Sequence, residues 1–212
     1  MKNSIKIKRM VGIATLMAII VVLQLTAGYL PKLPGGLSLS LTLVPIVLGA
    51  ILYGPTGGAI LGCTMAVMVL IDPSTAVFYE ANIAATIILV ILKSTAAGFL
   101  SGLLFKLLYK INFYVAIVVA AIICPLVNTG LFCMGAAMFY RDLFGGGLGV
   151  IIGIVGANFL VELAINVLLC PVLAIVIKIL VHNYNIGTLL DEKAILKEDN
   201  NTDIDSDIEE IE

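Results

Sequence analysis

Apolar runs broken by short polar or glycine- and proline-rich stretches divide most of the chain into six segments. They lie at about 10–29, 39–53, 57–71, 82–106, 113–139 and 148–181. A helix needs about 20 mostly apolar residues to cross a bilayer, and four of the segments reach that length. The second and third are shorter, and only Tyr53-Gly-Pro-Thr-Gly-Gly58 separates them. Clustered Gly and Pro mark a turn, so this pair reads as a tight helical hairpin. The last three segments are long enough to project beyond the hydrocarbon. The pattern predicts an all-α integral membrane protein with six transmembrane helices. The first segment reads as a span rather than a cleaved leader, because no small-residue cleavage site with polar sequence follows it.

Charge sets the orientation. Lys2, Lys6, Lys8 and Arg9 run straight into the first segment, and basic residues beside a first span stay on the cytoplasmic side. Six crossings then return the C-terminus to the same side. The inside positions hold Lys106, Lys110 and Lys178 as well, while the outside loops at about 30–38, 72–81 and 140–147 hold only Lys32 and Arg141. Those loops also carry Asp72, Glu80 and Asp142 with many Gly and Pro residues, a composition common in binding edges and lids. Both termini are therefore expected in the cytoplasm.

Composition agrees with membrane residence: 61% of the 212 residues are hydrophobic and 12% charged, with a mean hydropathy of +1.15. The net charge of -2 conceals a segregation. Residues 183–212 carry ten acids and two lysines, leaving the preceding 182 with ten basic and four acidic groups, a net of +6. The chain divides into a basic cytoplasmic N-terminus (1–9), a membrane domain (10–182) and an acidic cytoplasmic tail (183–212). The tail has no core-forming periodicity and reads as disordered. Its Asp-x-Asp-x-Asp run lacks the glycine and flanking helices of a calcium loop.

Charge inside hydrocarbon costs about 2.5–3.5 kcal/mol per residue on insertion scales, so Lys93 and Glu162 stand out in the fourth and sixth segments. Asn82, Asn128, Asn158 and Asn166 accompany them. Asn158, Glu162 and Asn166 recur every four residues and share one helix face. At about 1.5 Å rise per residue, Lys93, Asn128 and Asn158 lie roughly 15–16 Å from the outer ends of their segments and Glu162 roughly 21 Å. Two readings share this geometry: a Lys93–Glu162 ion pair with amides joining the helices, or a polar ligand pocket open to the outside. Pro125, three residues before Asn128, frees a carbonyl that a cavity or polar neighbour could satisfy, or simply curves the helix.

No phosphate-binding Gly-rich loop, nucleophile elbow or zinc-protease motif occurs. His182, the one histidine, lies at the membrane edge, and the four cysteines (Cys63, Cys124, Cys133, Cys170) sit singly in apolar runs. No enzyme activity, cofactor, metal site or nucleic-acid partner is expected. Without the phosphate-binding loop, hydrolysis of ATP by that route is not expected.

Ala14 and Ala18, four apart in Ala14-Thr-Leu-Met-Ala18, lie on one helix face and let a partner backbone approach closely. This stretch resembles the Ala-x-x-x-Ala docking motif of the substrate-binding S components of energy-coupling factor (ECF) vitamin transporters. Leu43-Val-Pro-Ile-Val-Leu-Gly-Ala-Ile-Leu-Tyr-Gly-Pro-Thr-Gly-Gly-Ala-Ile-Leu-Gly62 is similar to that family's second and third helices. Lys93-Ser-Thr-Ala-Ala-Gly-Phe-Leu-Ser-Gly102 is similar to its fourth-helix signature. The likeness covers residues 5–182 and leaves the acidic tail outside it. It implies a bacterial plasma-membrane subunit that binds a water-soluble vitamin from outside with high affinity. Ala14 and Ala18 would then dock on a transmembrane coupling subunit driven by two cytoplasmic ATPases. The outside loops and outer halves of the later helices would bind the vitamin, which brings in Glu80, Asn82, Lys93, Asn128, Asn158 and Glu162.

A carboxylate-bearing vitamin such as pantothenate could pair with Lys93. The absence of Trp disfavours a large flat ring, although Tyr and Phe could stack riboflavin or folate. Two competing readings are a stand-alone secondary transporter and a small membrane enzyme acting on lipid-like substrates. The first lacks a visible inverted repeat, and the second lacks clustered acids or metal ligands.

Overall fold

The computed structural model describes residues 2–29, 41–140 and 148–184. The expected outer loops at 30–38 and 140–147 fall almost wholly outside this set, and so does the acidic tail from residue 185 on. Six α-helices follow in order: α1 (Lys2–Tyr29), α2 (Leu43–Ile71), α3 (Ala76–Leu108), α4 (Phe113–Phe139), α5 (Leu148–Leu168) and α6 (Cys170–Tyr184). A 3-10 turn, Pro73–Thr75, joins α2 to α3, and no strand occurs among the described residues.

Four helices are long and apolar enough to cross a membrane, and α5 with α6 makes a fifth if that bent pair is one span. The six expected segments differ from this count at α2. Gly54 breaks α2 with φ 79° and ψ -172°, a left-handed conformation that glycine adopts without a Cβ clash. The two halves then fold back on each other. A Cβ at Gly58 would stand 2.8 Å from that of Ala50, and one at Gly57 3.2 Å from the Gly49 carbonyl. In an unbroken helix positions 49 and 57 would be about 12 Å apart. The Gly-Pro sequence thus makes a hairpin inside one continuous helical element.

Two further boundaries differ from the sequence pattern. The stretch 72–81, expected on the outside, is an ordered turn followed by the start of α3. Asp72 Oδ1 accepts from the Ser74 N–H at 2.8 Å and closes the turn. α3 breaks at Asn82, whose backbone is extended (φ -165°, ψ 106°) and whose Oδ1 accepts from the Ala85 N–H at 3.0 Å. Asn82 therefore caps the long inner part of α3, which begins where the fourth segment was expected. The expected segment 148–181 is two helices bent by 44° around Leu169. Pro171 accounts for the bend, because it lacks the N–H that would continue the ladder from Val167.

Small residues hold the centre together. On α2, Gly54, Gly58 and Gly62 form a stripe that faces Ser94, Gly98 and Gly102 on α3. The partner position falls by four each time the first rises by four, so the helices run antiparallel. A Cβ at Gly98 would stand 2.6 Å from the Gly58 carbonyl carbon, and one at Gly102 would stand 2.9 Å from Pro55 Cα. These are backbone contacts that leave no room for a side chain. Close backbone approach supplies packing that apolar side chains alone cannot provide in lipid. α4 joins from the other side of α3, where the buried Ser101 hydroxyl donates to the Ala120 carbonyl at 2.9 Å.

α1 packs on α2 through Leu16 and Ile20, and Arg9 ties its start to the hairpin turn. The Arg9 guanidinium donates to the Tyr53 carbonyl at 3.0 Å and to Thr56 Oγ1 at 2.7 Å. That end of the bundle also carries Lys6, Lys8, Lys106, Lys110 and Lys178, whereas Asp72 and Glu80 lie at the opposite end.

Gly98→Leu should lower stability by at least about 1–3 kcal/mol, the usual cost of forcing bulk into a packed interface. Gly130, whose Cβ position has nothing within 4 Å, is the control. Gly130→Ala should be neutral or stabilising by up to about 1 kcal/mol. Unfolding of both variants in detergent, followed by circular dichroism, measures the difference.

Candidate functional site

Three helices bring polar groups together inside the bundle. α4 contributes a stripe of every fourth residue: Cys124, Asn128 and Phe132. Lys93 of α3 reaches its outer end, with Nζ 5.1 Å from the centroid of the Phe132 ring. Glu162 of α5 lies close enough for its charge to act on both Lys93 and the Cys124 thiol. Asn128 stands between these two contacts. Lys93, Asn128 and Glu162, picked out by depth in the sequence, thus belong to one cluster. An ammonium over a ring face is held by the ring's quadrupole.

The cluster is buried and incompletely satisfied. Asn128 is 5% exposed and Glu162 4%, while Asn166 is fully enclosed. Asn166 donates through Nδ2 to the Glu162 backbone carbonyl at 2.9 Å, which fixes its amide one turn beyond the carboxylate. Its Oδ1 and the Oδ1 of Asn128 have no hydrogen-bond partner among the described residues. A buried polar atom without a partner costs about 1–3 kcal/mol. Two amide oxygens left open in the neighbourhood of Glu162 can accept from hydroxyl or amide donors of a small polar molecule.

An aromatic layer adjoins the cluster toward the acidic end. Phe132 meets Phe78 edge-on at 5.7 Å, and Phe78 meets Tyr140 at 5.1 Å. The Tyr140 hydroxyl shares a hydrogen bond with Thr86 Oγ1. Thr86 Oγ1 is also 2.7 Å from the Asn82 carbonyl and 2.9 Å from that of Phe78, the carbonyls around the α3 break. Phe78 therefore rides on the short outer turn of α3, anchored through Thr86 to the end of α4.

The remaining expected site residues lie elsewhere or are not described. Asn82 is exposed and uses its side chain as the α3 cap, about 16 Å along the helix from Lys93. Glu80 is exposed on the same outer turn. Asn158 lies in α5, but its side chain is outside the described residues, as is Arg141. Ala14 and Ala18 are exposed on α1, away from the face that packs on α2. No group of three metal-ligating side chains occurs among the described residues.

Phe132 and Cys124 were invisible to sequence reasoning, because an aromatic or a thiol in an apolar helix carries no polar signal. Their four-residue spacing from Asn128 was the usable cue. Asn166 was legible from its spacing to Glu162.

The family model described as "ECF transporter, substrate-specific component" matches residues 8–174. No curated protein and no solved structure matches the chain. The family match covers well over half of the sequence, from the second turn of α1 through all of α2 to α5 and into the first turn of α6. The chain belongs to the ECF transporter substrate-specific components, and it is a membrane-integral, substrate-specific subunit of that transporter class.

Proposed function

We propose that this chain is the high-affinity vitamin-binding S component of an ECF-type importer in a bacterial plasma membrane. The observation that carries the reading is the cluster of half-buried Lys93 with buried Asn128, Glu162 and Asn166, drawn from three helices, in which two amide oxygens have no partner among the described residues. Burying such groups is expensive in a membrane and is repaid when a polar ligand completes their hydrogen bonds. The ligand class is a water-soluble vitamin such as pantothenate, riboflavin or folate. A carboxylate on the vitamin would pair with Lys93, while hydroxyl or amide donors would meet Asn128 and Asn166. Pantothenate suits this set best. Asn158 would extend the same face of α5, and Glu80 and Asn82 would lie at the outer approach.

In this reading the chain crosses the membrane in six segments, the two halves of α2 counted separately. The basic end, with residues 1–9 and the tail 183–212, lies in the cytoplasm. The concentration of lysines and Arg9 at one end supports it. The chain is not an enzyme and needs no cofactor. Energy comes from a separate transmembrane coupling subunit and two cytoplasmic ATPases. Ala14 and Ala18 provide the docking strip, since they are small, exposed and on the outer face of α1.

Asn128→Leu should weaken vitamin binding by about 1–3 kcal/mol, the cost of leaving a buried polar partner unmatched. Assembly with the coupling subunit should be unchanged. Lys93→Met and Glu162→Leu must be measured singly and together, because each alone strands the other's charge. Their interaction energy should be about 0.5–3 kcal/mol. Titration calorimetry on the purified protein reads these values. Wild-type binding by both the double variant and Asn128→Leu would make the cluster structural and move the site outward, toward Asp72 and Glu80.

Ala14→Leu and Ala18→Leu should keep vitamin binding and lose both co-purification with the coupling subunit and uptake into proteoliposomes. Normal assembly and uptake by both variants would refute the docking assignment.

A further inference from the structure

Charge is divided unevenly between the bundle and the residues that follow it. The three described carboxylates lie away from the basic end: Asp72 and Glu80 at the opposite end, Glu162 in the polar cluster. Lys6 on α1, with Lys106 and Lys110 where α3 gives way to α4, are exposed at the basic end. Lys8, Arg9 and Lys178 stand at the same end and are engaged in contacts of their own. α6 runs toward this end, since Lys178 meets Tyr114 at the start of α4. Six more residues carry the chain about 9 Å further, to Tyr184. Residues 185–212, which follow from there, hold ten acids and two lysines, a net of -8.

We propose that the acidic segment 185–212 of this same chain docks on the basic end of the bundle, through the exposed Lys6, Lys106 and Lys110. The length suffices. Twenty-eight residues follow Tyr184, and even as a random coil such a length spans about 30 Å. Helix axes pack about 8–10 Å apart, so that reach crosses the end of the bundle from α6 to α1. Tethering decides the occupant. Any polyanion would meet the same lysines, but the tail is present at about millimolar effective concentration.

The contact has a consequence for assembly. Lys6, Met10, Ala14 and Ala18 recur every four residues along α1, and all are exposed. A partner helix laid along Ala14 and Ala18 would reach Lys6 about 12 Å further on, where it meets the docked tail. The tail is thus a removable cover on the start of that strip. This consequence rests on the docking role proposed for Ala14 and Ala18, whereas the tail contact itself does not.

A fluorescent peptide of residues 185–212, added to purified full-length chains and followed by anisotropy, tests the contact. The receiving chain is a full-length variant with neutral tail, Asp191→Asn, Glu192→Gln and the other eight tail acids replaced likewise. It should bind the peptide at about 50 mM salt and release it at about 500 mM, where charges are screened within a few ångströms. The wild type should bind the peptide at least about tenfold more weakly, because its own tethered tail competes. Lys6→Gln/Lys106→Gln/Lys110→Gln in the neutral-tail chain should weaken binding roughly eightfold, about twofold for each exposed pair. The corresponding triple Arg variant should restore it. No binding by the neutral-tail chain would overturn the proposal, as would equal binding by the wild type or indifference to the triple Gln change. The neutral-tail chain should also co-purify with the coupling subunit several-fold better than the wild type. No gain, in chains that bind the peptide as stated and still need Ala14 and Ala18 for assembly, would refute the cover.

Discussion

The architecture depends on two backbones touching at Gly58 and Gly98. Lipid tails are as apolar as leucine, so helices in a membrane gain little by burying apolar side chains against each other. What remains is dispersion between many closely spaced atoms, each pair contributing only about 0.1–0.2 kcal/mol. Removing side chains along a whole stripe lets the main chains themselves supply those contacts. The seam from Gly54 to Gly62 and from Gly102 to Ser94 does this over two helical turns.

The seam also sets the direction of the polar site. Ser94 belongs to it, so the rotation of α3 about its own axis is fixed against α2. Lys93 is the residue before it, turned by about 100° around the helix. It therefore points away from α2 and toward α4, where its ammonium meets Phe132. The Ser101–Ala120 bond holds α4 at matching height and brings the Cys124–Asn128–Phe132 stripe to the same place. Glu162 and Asn166 complete the cluster from α5. On the far side of the bundle, Arg9 ties α1 to the hairpin turn and leaves Ala14 and Ala18 facing outward. The polar cluster and the exposed Ala14 and Ala18 are thus both referred to α2, at separate places.

Much of this was legible in the sequence, because a membrane punishes exceptions. A lysine and a glutamate in apolar runs had to find each other or a ligand, and depth counting put them with Asn128. Gly54-Pro55 announced the hairpin, and Asn82 marked the start of the inner part of α3. Other features were hidden for physical reasons. The seam requires knowing which glycines face each other, a tertiary fact that spacing within one helix does not contain. The bend at Leu169 was hidden because apolar sequence runs through it unbroken. The capping role of Asn82 was hidden because a cap and a binding residue use the same amide. Phe132 gave no signal, since an aromatic among apolar residues becomes informative only when a cation is seen above it.

The central claim is that a bundle fixed by the glycine seam holds a polar cluster completed by a water-soluble vitamin. Mass spectrometry of small molecules retained on the chain, purified without any coupling or ATPase subunit, tests it most directly. The account predicts one polar vitamin at one copy per chain, lost in the Asn128→Leu variant while the variant stays folded. A wild-type protein that retains no such molecule, and takes up none from a panel of water-soluble vitamins, would contradict it.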